Sequence, residues 1–505
     1  MSEYSSYDYM KIFNKSMLLQ AGLIAIFSTI IVRYQLQLLN YLEWGDEVTH
    51  IISVKLINSG SELYSQIHEL HGPLTFLPGL LVEKINHHFG VWAYRIPIML
   101  LQWLALISLY FSPLFKKQSL FLRLTYCVAA ATVMLIYFAD IFGHTYLFQV
   151  IAGLFFIIIL SQYTLPAILM PTALNSSRII AGNLLIVSLP FLAFTYIPIC
   201  ILLFFASFHR QFTRLILLSA GIGLALNIAF LAVIGSIAGY FAMHFWINFF
   251  VSRQYIEGEV LGIQYLLNSA YIGITNDLAR FGIFLIFISA LTSLGKNERK
   301  FPWRSFVLGL GIASLLVRAI GFQGLPLLYL FLAMPLIFIF RVSKTNGLTA
   351  FFLSPILLIC FVKLILLVPA NIIDRQARTS SPFAELVQKI TEKDDRIIAW
   401  PFENYEYILA DRLPASGNFF YLPWQKDYYE NPKFGISIDS CREIINTKPK
   451  IMLINPYPFG GVEWQQFIPS CILDLIKTDY TQVPNSAYFV RNDIYRTQLK
   501  IILQN

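Results

Sequence analysis

Charged residues are scarce in this sequence. Asp, Glu, Lys and Arg together make up 13% of the 505 residues, whereas 57% are apolar. Soluble domains average about 25% charged and about 45–50% apolar residues. The 5 cysteines are also too few for a disulfide framework. The composition therefore excludes a cytosolic enzyme, a disordered chain and a secreted disulfide-rich scaffold.

The shortage of acidic residues is confined to the first part of the chain. Residues 1–369 contain 13 Asp or Glu and 22 Lys or Arg, whereas residues 370–505 contain 16 and 15. We expect two domains, a transmembrane domain over 1–369 and a domain of ordinary soluble composition over 370–505. The net charge of +8 lies at the ends of apolar runs, which indicates membrane topology and no nucleic-acid partner.

Long apolar runs predict a polytopic α-helical membrane protein, since a span needs about 20 such residues. Eleven segments qualify or nearly qualify: 17–38, 96–115, 120–138, 146–165, 179–192, 194–208, 215–236, 278–294, 306–317, 325–340 and 348–368. Lys and Arg concentrate in alternate connections, so the positive-inside rule places the N-terminus in the cytoplasm. An odd number of spans then puts residues 370–505 in the periplasm of a bacterial inner-membrane protein.

The tail shows short alternating patterns. The runs RIIAWP and KIMLINP each follow a charged residue in the way of buried parallel strands, and FAELVQKI has helical spacing. We therefore expect a small α/β domain. Cys441 and Cys471 lie in it, and both a disulfide and two buried free thiols fit the sequence.

The few acids of the first domain fall almost entirely on its predicted outer side. Asp46 and Glu47 follow the first span, and Asp140 lies in a tight outward turn. Carboxylates close to the bilayer are costly and tend to be functional, and a membrane enzyme needs one as a general base. The alternative is that Asp46 caps a helix and Asp140 is a solvated turn residue.

The segment HELHGPLTFLPG belongs to the first long outward loop, residues 39–95. His68 and His71 are three residues apart, a spacing that metal-binding pairs also use. Because no Cys and no third His is near in sequence, contact with a phosphate fits His71 better than a zinc site. Amphipathic helices on the membrane surface are expected at 48–58 and 76–88 of this loop.

Basic side chains on the outer side are candidates for binding an anionic leaving group. Lys84 follows the histidine segment, Arg253 lies in a second long loop at 239–277, and Arg318 ends a span. The alternative for each is that it extends its charge to the membrane interface.

The order of these motifs resembles that of GT-C membrane glycosyltransferases, above all protein O-mannosyltransferases and the aminoarabinose transferase of lipid A. The matching pieces are WGDEVTH, LHGPLTF, FADIFGH, GFQGLPLLYLFLAMPL and, in the tail, DDRIIAWPFENYEYILADRLPASGNFFYLP. Two departures stand out, since the family's Pro-Pro is Gly72-Pro73 here and the lysine of the aminoarabinose enzymes is matched by His71.

The resemblance implies that a sugar passes from a polyprenyl-phosphate donor to an acceptor outside the membrane, with inversion at the anomeric carbon. Asp46 would deprotonate or orient the acceptor, Asp140 would position it or share that role, and Glu47 is the further catalytic candidate. The phosphate would leave towards His71, Lys84, Arg253 or Arg318. Some relatives use a divalent cation such as Mg²⁺ or Mn²⁺ and others do not, and no motif here demands one.

The acceptor is the least determined partner. The architecture resembles that of serotype-converting O-antigen glucosyltransferases, which implies glucose from undecaprenyl-phosphate glucose and a lipopolysaccharide acceptor. Protein O-glycosylation and lipid A modification are the alternatives within the class. A lipid or glycan transporter is the alternative outside it, although such proteins tend to show inverted repeats, and none is visible in this sequence.

Overall fold

The computed structural model describes residues 6–87, 90–252, 303–318, 321–341 and 376–499, with the single positions 255, 271 and 359. The predicted spans 278–294 and 348–368 lie outside the described residues, except for position 359. The total of eleven spans therefore stays a prediction.

Helices make up nearly all of the described part of the first domain. They are α1 (Ser6–Leu38), α2 (Gly45–Asn58), α3 (Leu77–Glu83), α4 (Val91–Tyr110), α5 (Leu120–Thr132), α6 (Phe148–Ile159), α7 (Leu165–Leu169), α8 (Ser176–Ser188), α9 (Ile197–Ser207), α10 (Thr213–Ile234), α11 (Ile237–Tyr240), α12 (Trp303–Ser314), α13 (Leu325–Phe331) and α14 (Pro335–Arg341). The π-helical segments Val133–Tyr137, Leu160–Thr164 and Phe241–Val251 continue α5, α6 and α11.

Five apolar helices of the described residues are long enough to cross a membrane: Ala21–Leu38, Val91–Tyr110, Leu120–Tyr137, Phe148–Leu169 and Arg210–Ile234. Each coincides with a span predicted from sequence. Shorter apolar helices at Ser176–Phe191, Phe194–Ser207 and Leu325–Phe340 match three more. The helical membrane architecture expected from the apolar runs is thus present.

The helix at the start of the first outward loop is more deeply buried than a surface helix would be. In α2 the residues from Glu47 to Val54 are all buried, together with Leu56. An amphipathic helix on a membrane keeps one polar face in water, so that expectation does not describe α2. The helix lies inside the protein because α3 and α4 pack against it and the tail packs over it. The amide of Asn404 donates to Thr49 Oγ1 over 2.8 Å.

The tail forms the predicted α/β structure. Its elements are α15 (Pro382–Ile390), β1 (Ile398–Trp400), α16 (Tyr405–Ala410), α17 (Pro423–Glu430), α18 (Ser440–Thr447), β2 (Ile451–Ile454), α19 (Trp464–Phe467), α20 (Ser470–Asp479), β3 (Tyr480–Gln482), β4 (Tyr488–Arg491) and α21 (Asn492–Ile494). The sheet has the order β1-β2-β4-β3. The edge strand β1 and its neighbour β2 are fully buried and parallel, with Ala399 opposite Leu453.

A disulfide joins two elements of this domain. Cys441 near the start of α18 is bonded to Cys471 near the start of α20. Of the two alternatives that the sequence left open, the structure has the disulfide. It closes a segment of 30 residues that contains β2.

The tail is held against the first outward loop by backbone and side-chain contacts. The His68 amide donates to the carbonyl of Gly417 over 3.1 Å. A Cβ atom on Gly417 would lie 1.7 Å from the carbonyl oxygen of Gln66, so only glycine permits this approach. These contacts place the tail directly over the residues that follow the first span.

Candidate active site

A cavity of about 390 Å³ lies between the helical body and the tail. The loop 39–95, four other regions of the body and the tail all contribute to its wall. The described lining residues are Trp44, Asp46, Thr49, Glu69, Leu70, His71, Phe148, Leu192, Ala193, Phe194, His244, Asn248, Ser252, Gln323, Phe402, Phe420, Leu422, Trp424 and Phe459. A mostly apolar and aromatic wall with a few polar groups is typical of a ligand site.

Asp46 lies at the edge of this cavity, half-buried, in the first turn of α2. The helix N-cap is Trp44, not Asp46, and no side chain caps it. A carboxylate in the first turn is favoured by the helix dipole. A Cβ on Gly45 would lie 2.6 Å from Phe402, so the glycine lets this ring of the tail lie beside Asp46.

Glu47 is turned away from the cavity and is fully buried. Its carboxylate forms an ion pair with Arg95, with Oε2 2.6 Å from Nη2 and Oε1 2.8 Å from Nε. It also accepts the backbone N–H of Tyr146 over 2.8 Å. The two adjacent acids therefore have different surroundings, with Asp46 at the cavity and Glu47 locked in the interior.

Asp140 is exposed, in a short 3-10 turn, Ala139–Ile141, and does not line the cavity. The turn nevertheless packs beside the cavity wall. Two residues later, Phe142 stacks on Trp44 with ring centroids 4.4 Å apart. The structure thus places Asp46 and Asp140 on neighbouring elements, but only Asp46 on the cavity surface.

Glu69 and His71 line the same cavity as Asp46. The His71 ring lies with Nδ1 2.5 Å from Glu69 Oε1. The backbone N–H groups of Leu70 and His71 donate to the same carboxylate oxygen over 2.9 and 3.2 Å. Its other oxygen accepts the Ser53 hydroxyl over 2.7 Å. The buried carboxylate of Glu69 therefore accepts hydrogen bonds at both of its oxygens.

Burial and the neighbouring side chains shift the pKa of the Glu69 carboxyl group in opposite directions. Burial raises its pKa, but His71, His50 and the Ser53 hydroxyl together lower the pKa to about 2. Burial lowers the pKa of His50 to about 3, and His71 adds to that effect. Glu69 is thus ionised and His50 neutral at neutral pH.

His50 and His68 have different positions relative to this pair. The His50 ring meets that of His71 edge-on, with centroids 4.5 Å apart. The His68 ring instead packs against Phe420 of the tail at 5.7 Å. The segment carrying His68 and His71 is not helical, so residues two apart, Glu69 and His71, share a side. The pair at spacing three does not come together.

Among the described residues, one group of His and carboxylate side chains is close enough to hold a metal ion: His50, Glu69 and His71, whose ligand atoms all lie within 4.8 Å of one another. Two imidazoles and one carboxylate suit zinc better than Mg²⁺ or Mn²⁺, which prefer oxygen ligands. This donor set is therefore different from the one that an Mg²⁺- or Mn²⁺-dependent relative would need.

The basic candidates lie in different places. His71 is on the cavity wall. Lys84 is exposed just after α3 and does not line the cavity. Arg253 lies outside the described residues. Arg318 ends a 3-10 turn, Leu315–Arg318, and its side chain also lies outside the described part of the chain.

Sequence reasoning did not single out four polar residues of the site: His50, Glu69, His244 and Asn248. His244 Nδ1 lies 2.7 Å from the carbonyl oxygen of Leu70, and Nε2 accepts the backbone N–H of Phe194 over 3.1 Å. Asn248 donates to the same Leu70 carbonyl over 2.9 Å. The sequence signal for Glu69 was its position between the two histidines of HELH. The residues adjacent in sequence give no comparable signal for His50, His244 and Asn248.

No protein-family model matches the sequence, and no curated protein matches it. Among solved structures, the chain is similar to ArnT from Cupriavidus metallidurans bound to undecaprenyl phosphate, at 12% identity, over 93% of this chain and 97% of that chain, with a TM-score of 0.49. It is also similar to the Archaeoglobus fulgidus oligosaccharyltransferase in a complex with zinc and sulfate, at 12% identity and with a TM-score of 0.44. That match covers 86% of this chain and 68% of the oligosaccharyltransferase chain. At this identity and these TM-scores, the likenesses transfer no activity or ligand to this chain.

Proposed function

We propose that the protein is a glycosyltransferase that moves a hexose, namely glucose, from a polyprenyl-phosphate donor to an acceptor outside the membrane, the O-antigen of lipopolysaccharide. The observation that carries the proposal is the position of Asp46. This carboxylate lies at a mostly apolar cavity between membrane helices and a folded tail. The order of motifs around it matches that of GT-C glycosyltransferases.

The proposed reaction is a single displacement. Asp46 accepts the proton of an acceptor hydroxyl, whose oxygen attacks the anomeric carbon of the donor sugar. The bond from that carbon to the phosphate oxygen breaks, and the polyprenyl phosphate leaves with the electron pair. A general base of this kind contributes about 10²–10⁴-fold to the rate. The aromatic wall formed by Trp44, Phe402 and Trp424 suits the apolar faces of sugar rings.

The cavity also suits this substrate pair by its location. The tail supplies five residues to the wall, and the helical body supplies the rest. The tail residues are Phe402, Phe420, Leu422, Trp424 and Phe459. A donor with a lipid tail enters from the membrane side, whereas a water-soluble glycan enters from the side of the tail. The disulfide between Cys441 and Cys471 favours an oxidising compartment for the tail, which supports the periplasmic side of a bacterial inner membrane.

The test uses purified protein in lipid with undecaprenyl-phosphate glucose and a panel of acceptors: O-antigen, lipid A and a Ser/Thr-containing peptide. Release of undecaprenyl phosphate is measured for wild type, Asp46→Asn, Asp140→Asn and, as a matched control, Asp479→Asn. Asp479 is an exposed tail residue at the end of α20.

We expect Asp46→Asn to lose about 10²–10⁴-fold in rate with an unchanged unfolding temperature, and Asp479→Asn to keep wild-type activity. Turnover that persists in Asp46→Asn would refute its role as the base. Turnover with lipid A or peptide alone would replace the proposed acceptor. Movement of the donor across the bilayer without any transfer would make the protein a transporter.

A further inference from the structure

The interior end of the cavity carries a set of potential metal ligands that the proposed displacement does not use. His50 on α2 and the pair Glu69 and His71 on the following segment converge there. One ligand atom from each lies within 4.8 Å of the other two. The two histidines come from parts of the loop 21 positions apart, so only the fold brings them together.

The orientation of His50 is fixed from outside the group. Its Nδ1 lies 3.1 Å from the carbonyl oxygen of Tyr146, and a carbonyl accepts only a donated proton. The remaining nitrogen, Nε2, is therefore the unprotonated one. It is fully buried and has no hydrogen-bond partner among the described residues. Buried polar atoms are seldom left without a partner, so such an atom calls for an explanation.

The carboxylate ligand is held in the same way. Ser53 donates to Glu69 Oε2 over 2.7 Å, and Oε1 accepts from the backbone N–H groups that follow it. Histidine and carboxylate ligands of metal ions characteristically have such outer hydrogen bonds, which fix their orientation. The Tyr146 carbonyl and the Ser53 hydroxyl thus form the outer support that a metal site needs.

We propose that His50 Nε2, Glu69 and His71 bind a zinc ion. Zinc bonds of about 2.0–2.2 Å to nitrogen and oxygen in a tetrahedron place the ligand atoms roughly 3.3–3.6 Å apart, and here these atoms all lie within 4.8 Å of one another. Two imidazoles and a carboxylate are a donor set of catalytic zinc sites, in which the fourth position stays open.

The open position would face the cavity. His71 is the partly exposed member of the group, with 22% of its side chain accessible, and it lines the cavity with Glu69. The described lining residues include the carboxylates of Asp46 and Glu69 but no Lys or Arg. A zinc ion would balance the charge of these two carboxylates and place a cation at the wall, which suits an anionic phosphate oxygen. This role, unlike the metal site itself, rests on the proposed glycosyl transfer.

The test measures metal content directly. Purified full-length protein is equilibrated with buffered zinc, freed of unbound metal and analysed for zinc per chain, and a Co²⁺-loaded sample is examined for the visible absorption of tetrahedral cobalt. We expect one zinc per chain in wild type, loss of stoichiometric zinc in His50→Gln and Glu69→Gln, and full zinc in His68→Gln. His68 is an equally buried control whose ring packs against Phe420.

A milder variant covers the case in which the ligand variants fail to fold. Ser53→Ala removes one outer hydrogen bond, which typically weakens a metal by about 10–100-fold, and the same weakening is expected here. Wild-type protein that takes up no stoichiometric zinc, or His50→Gln protein that keeps it, would overturn the site. Full zinc binding in His50→Gln with loss in His68→Gln would instead favour the pair that sequence spacing suggests.

Transfer activity separates this inference from the proposed function. Asp46-dependent transfer by protein that binds no zinc would overturn the metal site alone. Stoichiometric zinc in a protein that transfers no sugar would overturn the proposed function and leave the metal site intact. Full transfer by zinc-free protein, checked with a chelator, would overturn the assigned contact between zinc and phosphate.

Discussion

Glu47 and Arg95 form an ion pair in the interior of the protein, 2.6 Å apart and each at most 1% exposed. Arg95 also donates to the backbone carbonyls of Leu38 and Leu42 over 3.2 and 2.9 Å. The pair therefore joins the end of α1, the start of α2 and α4. It fixes the direction of the turn from which Asp46 reaches the cavity.

Removal of one partner of this pair should destabilise the fold. We expect Glu47→Gln to lower the free energy of unfolding by about 3–5 kcal/mol, because Arg95 would keep its buried charge without a counter-charge. Thermal unfolding in detergent measures the effect. The control is Glu43→Gln, whose partner Arg378 is 51% exposed and whose loss should cost under about 1 kcal/mol.

The same variant distinguishes a structural from a chemical role for Glu47. If the Glu47→Gln protein unfolds at the wild-type temperature but is inactive, the residue acts in the chemistry, and the proposed base must be reassigned. Loss of stability with residual activity per folded molecule agrees with its buried position.

The close approach at Gly417 should be essential for docking of the tail. A Cβ atom there would clash with the Gln66 carbonyl oxygen at 1.7 Å, and relief of such a clash costs about 1–3 kcal/mol. We expect Gly417→Ala to loosen the tail, to increase its proteolytic release and to reduce transfer activity. Gly221→Ala is the control, because a Cβ on Gly221, within α10, meets nothing within 4 Å.

Gly221→Ala should be neutral or slightly stabilising, since alanine favours a helix by about 1 kcal/mol over glycine. Equal proteolytic release of the tail in the two alanine variants would show that the contact at Gly417 does not hold the domains together.

The architecture was predictable where the pattern is local. The long apolar runs specify helices, and the fully apolar runs at β1 and β2 specify buried parallel strands. The strand register and the order of strands in the sheet were not predictable, because the antiparallel pairing of β2 with β4 depends on contacts between segments distant in sequence. The burial of α2 likewise depends on the tail, which local composition does not describe.

The site was predictable only in part for the same reason. Asp46 and His71 stand out by residue type in an apolar sequence. Their neighbours His50 and His244 do not stand out in the sequence. Each is held at the site by a contact with the backbone carbonyl of a distant residue, Tyr146 for His50 and Leu70 for His244. His68 and His71 have a spacing that metal-binding pairs also use, but the segment is not helical, and its polar side chains at the cavity are those of Glu69 and His71.

The indole N–H of Trp424 offers a test of substrate contact. This atom is buried and without a hydrogen-bond partner among the described residues, and the residue lines the cavity. If the N–H binds a sugar hydroxyl, Trp424→Phe loses one hydrogen bond of about 0.5–1.5 kcal/mol. We expect kcat/KM to fall by roughly 2- to 13-fold at an unchanged unfolding temperature.

Trp400→Phe is the matched control for this measurement. Its indole N–H is buried in the tail and equally unpartnered among the described residues, but it lies against Tyr421 and not at the cavity. Wild-type kinetics in Trp424→Phe, or the same loss in both variants, would contradict a direct contact between Trp424 and the sugar.

The disulfide provides a test of both stability and orientation. We expect Cys441→Ala to lower the stability of the tail by about 2–4 kcal/mol, whereas the alanine variant of the free Cys127 lacks this effect. The substitution also releases Cys471 as a free thiol. If the tail lies in the periplasm, a membrane-impermeant maleimide added to spheroplasts should label the Cys441→Ala protein at Cys471.

Wild type should stay unlabelled under the same conditions, because both tail cysteines are bonded and the other three lie in apolar segments. Cys127 and Cys200 belong to the apolar helices Leu120–Tyr137 and Phe194–Ser207, and Cys360 belongs to the predicted span 348–368. Labelling that requires permeabilised membranes would place the tail in the cytoplasm, where disulfides are rare. The cavity would then open on the cytoplasmic face, which contradicts the proposed transfer to an acceptor outside the membrane. The orientation experiment therefore decides between whole classes of acceptor before any substrate is tested.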